Sequence, residues 1–390
     1  MGKPARITEL EYLRAFAFLA VVLQHAIGHY AYIPGTPLAD GVLLGILLLL
    51  AKFAVPAFIF ITGLLLFYRY RESGIPYFTF LRKRGKDILL PYLPWALLYA
   101  SIDGDGWDWP WSGGWYALGL KLLTGKASYH LWYVVMIFQC YLLFPLFHRA
   151  VLRLDRMLTD RLRLALVFGL GVIYVWLTGQ ISAIQDWTAS LGIPAVSAFF
   201  GEYGDRNVLY FYYYLVMGAF AGLHLDRFRG LLRHYRNGVL GLFGAMLLWM
   251  LYRIVNHFEL APLSIQYNDT FLLQPRMALM LIVSMPAMYL AALTLDEGAS
   301  AFWKKMLTLT GAYSYVAYLA HALLLTPAIV ISDKLLPALS PTLRTVTAFA
   351  LCSLLSVALA CVIRSASAAL LRRISAGRQE AVRKPRTPSA

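Results

Sequence analysis

The chain has 390 residues, 60% of them hydrophobic and 14% charged, against about 45–50% and 25% in soluble domains. A mean hydropathy of +0.62 excludes both an ordinary soluble globule and a disordered polymer, because neither carries so much apolar surface. The net charge of +15 comes from 35 Lys and Arg against 20 Asp and Glu, and only its distribution can say whether it serves nucleic acid, anionic lipid or membrane topology.

A helix needs about 20 apolar residues to cross ~30 Å of hydrocarbon. About ten such stretches follow one another: Ile7–Ile33, Val42–Phe67, Ile88–Ile102, His130–Phe147, Leu164–Ile181, Val208–Leu225, Gly238–Val255, Phe271–Leu295, Gly311–Ile331 and Thr345–Ile363. The first is expected to be a retained helix rather than a cleaved leader, since Arg14, His25 and His29 interrupt it and no small-residue cleavage site follows. The third is short and contains Pro91 and Pro94.

With the N-terminus inside, 26 cations fall in the inner segments and five in the outer loops, namely Lys121, Lys126, Arg206, Lys334 and Arg344. That asymmetry alternates loop by loop as the positive-inside rule requires, and it accounts for the net charge without a nucleic-acid partner. The expected fold is therefore an all-α polytopic transmembrane bundle with both termini cytoplasmic. Residues 1–363 form its membrane-embedded domain, and the basic, Ser- and Pro-containing segment 364–390 is expected to be a disordered cytoplasmic tail. Cys140, Cys352 and Cys361 lie scattered in apolar runs and make neither a disulfide nor a zinc framework.

Ionisable groups inside spans are costly and mark function by default. Arg14 and His25 are eleven residues apart, about 20° from three whole helical turns, so they share a face with a rise of ~16 Å between them. A snorkelling arginine and a hydrogen-bonded bundle histidine would satisfy the same pattern. His29 lies one turn beyond His25, but no third ligand accompanies the pair and no metal site is expected. In the ninth span Ser314, Tyr318 and His321 follow i, i+4, i+7 and form a polar stripe that a lipid-facing helix would avoid. Arg276 stands near the outer end of the eighth span, placed either for an anionic group or for snorkelling. The outer loop Asp103–Trp115 carries Trp107, Trp109, Trp111 and Trp115, whose rings could stack on sugars or simply partition to the membrane interface.

Several of these residues fall into a known pattern. Glu9–His25, ELEYLRAFAFLAVVLQH, resembles the first helix of the acyltransferase-3 family of integral-membrane acyltransferases, whose signature is an Arg and a His separated by ten residues. Val55–Phe58 through Thr62-Gly63 resembles the family's "VPLFFFISG" segment, and Arg82–Tyr92 its basic run before a Pro-aromatic pair. His130–Tyr133, HLWY, resembles its "HLWF", and Tyr313–His321, YSYVAYLAH, its "YSxxxYLxH". The match runs from about Ile7 to Ile363 and is nearest to the branch that modifies cell-envelope or extracellular polysaccharides. Thr62 stands where the family usually has Ser, and Asp87 follows Arg84 where many members have a second Arg, so that Lys86 or Arg82 would supply the second cation.

The resemblance implies a multi-pass cell-membrane O-acyltransferase that moves an acetyl- or succinyl-class group from cytoplasmic acyl-CoA to a hydroxyl of a glycan or lipid-linked sugar, with no tightly bound cofactor. His25 becomes the general base, because an imidazole titrating near neutrality can take the hydroxyl proton; an acyl-imidazole relay is the covalent variant. His321 becomes a second acid/base or a holder of the CoA arm. Arg14, Arg84, Lys86, Ser314 and Tyr318 fall to the donor, and His29, His130, Trp132 and Arg276 to the acceptor. The competing reading is a polysaccharide transporter or exporter without covalent chemistry, since intramembrane His and Arg also mark translocation paths. A structural partner of a glycan synthase is a third. Besides membrane lipids, a homo-oligomer or a glycan-synthase complex is a further partner class.

Overall fold

The structure is a computed structural model that describes residues 7–71, 74–102, 114–260 and 263–383. Trp107, Trp109 and Trp111 lie outside the described residues. The apolar runs fold into helices in the order α1 (Thr8–Tyr30), α2 (Leu38–Ala51), α3 (Ala54–Arg69), α4 (Tyr77–Ile102), α5 (Gly114–Thr124), α6 (Trp132–Met157), α7 (Asp160–Gly179), α8 (Ile181–Ser190), α9 (Pro194–Phe200), α10 (Tyr212–Leu223), α11 (Leu225–His234), α12 (Arg236–Val255), α13 (Pro275–Gly298), α14 (Ala301–Leu335) and α15 (Pro341–Arg383). Among the described residues the β-structure is one two-residue antiparallel ladder, β1 (Glu259–Leu260) with β2 (Leu263–Ser264).

Two expected spans are broken for identifiable reasons. The second comprises α2 and α3, interrupted at Lys52-Phe53; Pro56 has no N–H to offer the Lys52 carbonyl, which removes one bond of the ladder at the break. The sixth ends at His224, where α11 turns by 101° from the preceding helix. Salt bridges hold α11 across one end of the bundle: Arg229 reaches Glu9 of α1 at 2.5 Å and Arg233 reaches Glu297 of α13 at 2.7 Å.

Among the described residues eight helical segments are long and apolar enough to cross a membrane, or nine with the bent pair, against about ten expected. The difference is α4, whose opening turns carry Arg82, Lys83, Arg84, Lys86 and Asp87. Its 26 residues nevertheless extend about 39 Å at 1.5 Å per residue. Arg364 of α15 donates to the Ala312 carbonyl, and neighbouring Gly311 packs on Glu11 of α1, so the first and last spans have these ends at the same end of the bundle. That end also gathers Asp155, Asp160, Arg163, His224 and Arg227 and is called the basic end below. The last helix continues to Arg383, so the segment after Arg364, read from composition as disordered, is helical that far.

Glycines let the central helices touch backbone to backbone, as small residues do between membrane helices. A Cβ on Gly218 or Gly222 of α10 would lie 2.1 or 2.3 Å from the carbonyls of Phe60 or Leu64 on α3, and one on Gly311 of α14 would lie 2.0 Å from the Glu11 carbonyl of α1. Outside this centre, α7 and α12 expose Phe168, Trp176, Leu248 and Tyr252, an apolar exterior suited to lipid.

Glu9 is 2% exposed and its Oε1 accepts from Arg229 Nε at 2.7 Å and from the Tyr289 hydroxyl at 2.8 Å. This one carboxylate ties α1, α11 and α13. Removing one member of a buried pair strands the other, at a cost of about 3–5 kcal/mol. Arg229→Met should therefore lower the melting temperature in detergent sharply, and the double change Glu9→Gln with Arg229→Met should recover part of the loss. Equal melting temperatures for all three proteins would show that the pair does not hold the basic end together.

Candidate active site

The shared face of Arg14 and His25 on α1 meets the polar stripe of α14, and two compartments form along the seam. Toward the basic end lies a cavity of about 270 Å³ walled by α1, α3, α4, α6 and α14. Arg14, Arg84, Thr62, Tyr141, Ser314 and Tyr318 contribute to its lining. The Arg84 guanidinium is held between rings, 5.3 Å from the centre of Tyr141 and 5.5 Å from Phe80, a cation–π arrangement that orients it without neutralising it. Arg14 contacts Glu11 at 3.3 Å. The Thr62 and Ser314 hydroxyls donate to carbonyls of their own helices, Phe58 and Gly311, each at 2.8 Å, which leaves their oxygens able to accept from a ligand.

Beyond Tyr133 and Tyr318 the seam closes into a cluster of three histidines from three parts of the chain. His321 stacks on His25 with ring centres 5.3 Å apart and meets His130 edge-on at 4.7 Å. Tyr129 packs on His25 at 4.7 Å and Tyr99 on His130 at 5.1 Å. The Tyr318 hydroxyl donates to the His130 carbonyl, and the Tyr99 hydroxyl donates to the Leu319 carbonyl at 2.8 Å while accepting from the Leu323 N–H at 3.1 Å. These bonds lock the turn of α14 that carries His321.

The hydrogen bonds also fix a tautomer. His321 Nδ1 lies 2.5 Å from the Tyr318 carbonyl; a carbonyl only accepts, so Nδ1 carries the proton and the neutral ring presents its lone pair at Nε2. His321 Nε2 and His130 Nε2 are both buried with no hydrogen-bond partner among the described residues. His130 Nδ1 is 3.1 Å from the Ser128 hydroxyl. His25 is half-buried, unlike His130 and His321. Among the described residues no group of three His, Cys, Asp or Glu could hold a metal ion.

The other sequence-derived candidates are placed unevenly. Lys86 and Arg82 are exposed and outside the lining; each is two residues from Arg84, about 200° around the helix, and cannot face the same cavity. The second cation there is Arg14, from a different helix. His130, assigned by motif to the acceptor, sits inside the histidine cluster. His29 is exposed against Tyr30, and Arg276 is exposed in the first turn of α13. Trp132 packs toward Phe211 with ring centres 6.3 Å apart. Sequence reasoning missed Tyr99, Tyr129 and Tyr141 and gave no role to Tyr133, which closes the HLWY motif; in a chain with 25 tyrosines, only adjacency to His130 could have singled out Tyr129.

The geometry pairs a cationic cavity with a histidine cluster inside a helical bundle, and a family model described as an acyltransferase domain, of the acyltransferase-3 type, matches residues 7–365. The chain belongs to the acyltransferase-3 family. It is thus a multi-pass membrane acyltransferase, and the matched range contains all five motifs. No match to the chain was found among curated proteins or solved structures.

His130 owes its position to Gly125, at φ +71°, where an added Cβ would stand 2.8–3.0 Å from the backbone of Leu131 and Trp132. Both the left-handed backbone and the close approach demand glycine. Gly125→Ala should cut turnover by about tenfold or more through displacement of His130, the scale that small misplacements reach, with only a modest fall in melting temperature. Wild-type turnover from this variant would mean that the position of His130 is immaterial to the reaction.

Proposed function

We propose that this acyltransferase uses acyl-CoA from the cytoplasm and esterifies a hydroxyl of an envelope or extracellular polysaccharide, or of its lipid-linked precursor, with an acetyl- or succinyl-class group. The basic end is then cytoplasmic, in keeping with the cation asymmetry. The observation that carries the reading is the continuous wall of α14: Ser314 and Tyr318 line the cavity beside Arg14 and Arg84, and His321, less than one turn on, stacks against His25.

In this scheme Arg14 and Arg84 hold anionic or polar parts of the donor and the thioester lies near Tyr318. The acceptor hydroxyl oxygen attacks the thioester carbon while His25 takes its proton. The C–S bond then breaks, the thiolate takes the proton back from the imidazolium, and free CoA and the ester leave. His130 and His321, neutral and buried, supply a polar wall that keeps the His25 ring in one orientation. The absence of a carboxylate from the described ring contacts and hydrogen bonds of the cluster suits a base that must return its proton rather than store it as an ion pair.

Two variants test the scheme on purified protein with labelled acyl-CoA and a glycan acceptor. His25→Gln should reduce ester formation by roughly 10²–10⁴-fold, the usual contribution of a general base, while CoA binding and monodispersity persist. Retention of more than about a tenth of the rate would remove His25 as the base and make His321 the residue to test.

Arg14→Lys keeps the charge but loses the planar fork that binds two oxygens at once. It should raise the KM for acyl-CoA more than it lowers kcat. An unchanged KM would leave Arg14 a topological cation or a lipid anchor.

A further inference from the structure

The basic end holds a larger cavity that this scheme leaves unused. It is an open groove of about 770 Å³ between α6 and the chain entering α4, lined among others by Arg149, Arg153 and Arg156. All three arginines are exposed, and among the described residues none has an ion pair or hydrogen bond. Their neighbours differ: Arg163, Arg227, Arg229 and Arg233 are each held by a carboxylate, on Asp155, Asp160, Glu9 and Glu297. Like charges at i, i+4 and i, i+3 on one helix repel, and an anion seated between them relieves that repulsion. The positive-inside rule asks only for cations at this end of the bundle; it does not ask that three of them face one groove.

The groove and the smaller cavity follow one another along the same helix. Tyr141 lines that cavity, and Pro145 and Arg149 line the groove; the three follow i, i+4, i+8 on one face of α6, and the eight residues rise about 12 Å. Buried His148, whose Nε2 bonds the Tyr70 carbonyl at 2.8 Å, fixes the chain that forms the opposite wall to the same helix. Leu152 and Tyr77 give the groove an apolar and aromatic lining beside the charges. A ligand that suits both compartments has a slender uncharged arm and a polyanionic head with a flat ring. CoA thioesters have this form, a pantetheine arm joined to a diphosphate and a 3′-phosphorylated adenosine.

We propose that the groove seats the 3′-phosphoadenosine end of the acyl-CoA donor, with Arg149 and Arg153 on its phosphates and Tyr77 beside the base; this rests on the acyl-CoA reading above. The smaller cavity then receives the arm and delivers the thioester toward the histidine cluster. Guanidinium groups suit the task because each can bind a phosphate through two parallel N–H bonds.

The full chain in phosphatidylcholine nanodiscs, titrated calorimetrically with CoA, with dephospho-CoA and with adenosine 3′,5′-bisphosphate, tests the assignment. The wild type should bind CoA about tenfold or more tightly than dephospho-CoA, and should bind the bisphosphate without any arm. The double variant R149Q/R153Q, checked for an unchanged melting temperature, should lose about tenfold in CoA affinity, equivalent to 1.4 kcal/mol, and most of the preference for the 3′-phosphate. If it does not fold, R149K/R153K should keep the charge and lose part of the preference. CoA binding that is equally tight and equally discriminating in wild type and variants overturns the groove assignment but leaves the donor reading standing. Absence of CoA binding to the wild type overturns both. In phosphatidylglycerol nanodiscs, CoA binding to the wild type that collapses while the variants are indifferent to the lipid would assign the groove to anionic headgroups instead.

Discussion

The contact on which the rest depends is the approach of α14 to α1 at Gly311, where no side chain separates the two backbones. Two polar stripes, Arg14 to His25 and Ser314 to His321, would each be costly in hydrocarbon alone. Facing one another at this distance they become the wall of a cavity and the floor of a histidine cluster. The same close packing between α3 and α10, through Gly218 and Gly222, holds Thr62 and Phe58 against the other side of the cavity. In lipid the hydrophobic effect gives helices little reason to associate, so backbone proximity and interhelical polar bonds must supply specificity.

Those polar bonds are distributed by depth. At the basic end they are ionic: Glu9 with Arg229, Asp155 with Arg163 and His224, Glu297 with Arg233. At the opposite end the Tyr30 hydroxyl donates to Asp333, which Arg344 also contacts. Between the two, around the histidines, the bonds are neutral: tyrosine hydroxyls, backbone carbonyls and the Ser128 hydroxyl. With no carboxylate among its described hydrogen bonds, this layer leaves an imidazole free to gain and lose a proton, which a permanent carboxylate partner would oppose. Among the described ion pairs the cavity's two cations meet one carboxylate, that of Glu11 beside Arg14.

The position of His130 illustrates how local and tertiary constraints combine. It precedes α6 in a turn that Gly125 allows and that Tyr318 fastens through a hydrogen bond to the His130 carbonyl. The residue that carries the proposed thioester pocket into the cluster, Tyr318, is thus also the residue that fixes a neighbouring histidine. A change at either place reaches both compartments.

Helical periodicity alone determined that Arg14 and His25 share a face and that Ser314, Tyr318 and His321 share another, because residue spacing and 3.6 residues per turn are properties of the chain. Hydropathy alone likewise determined a helical membrane bundle, and the resemblance of five motifs pointed to the family. Which faces meet was beyond it: bringing His130 between His321 and Tyr99, or placing Arg14 rather than Lys86 beside Arg84, depends on packing between helices far apart in sequence. Hydropathy marked only Ile88–Ile102 of α4, whose charged opening turns are tolerable because they lie at the end of the bundle where charge is hydrated, a location that only the assembled structure assigns. The sequence marks which side chains are costly in lipid; the tertiary structure decides which of them relieve that cost in one another.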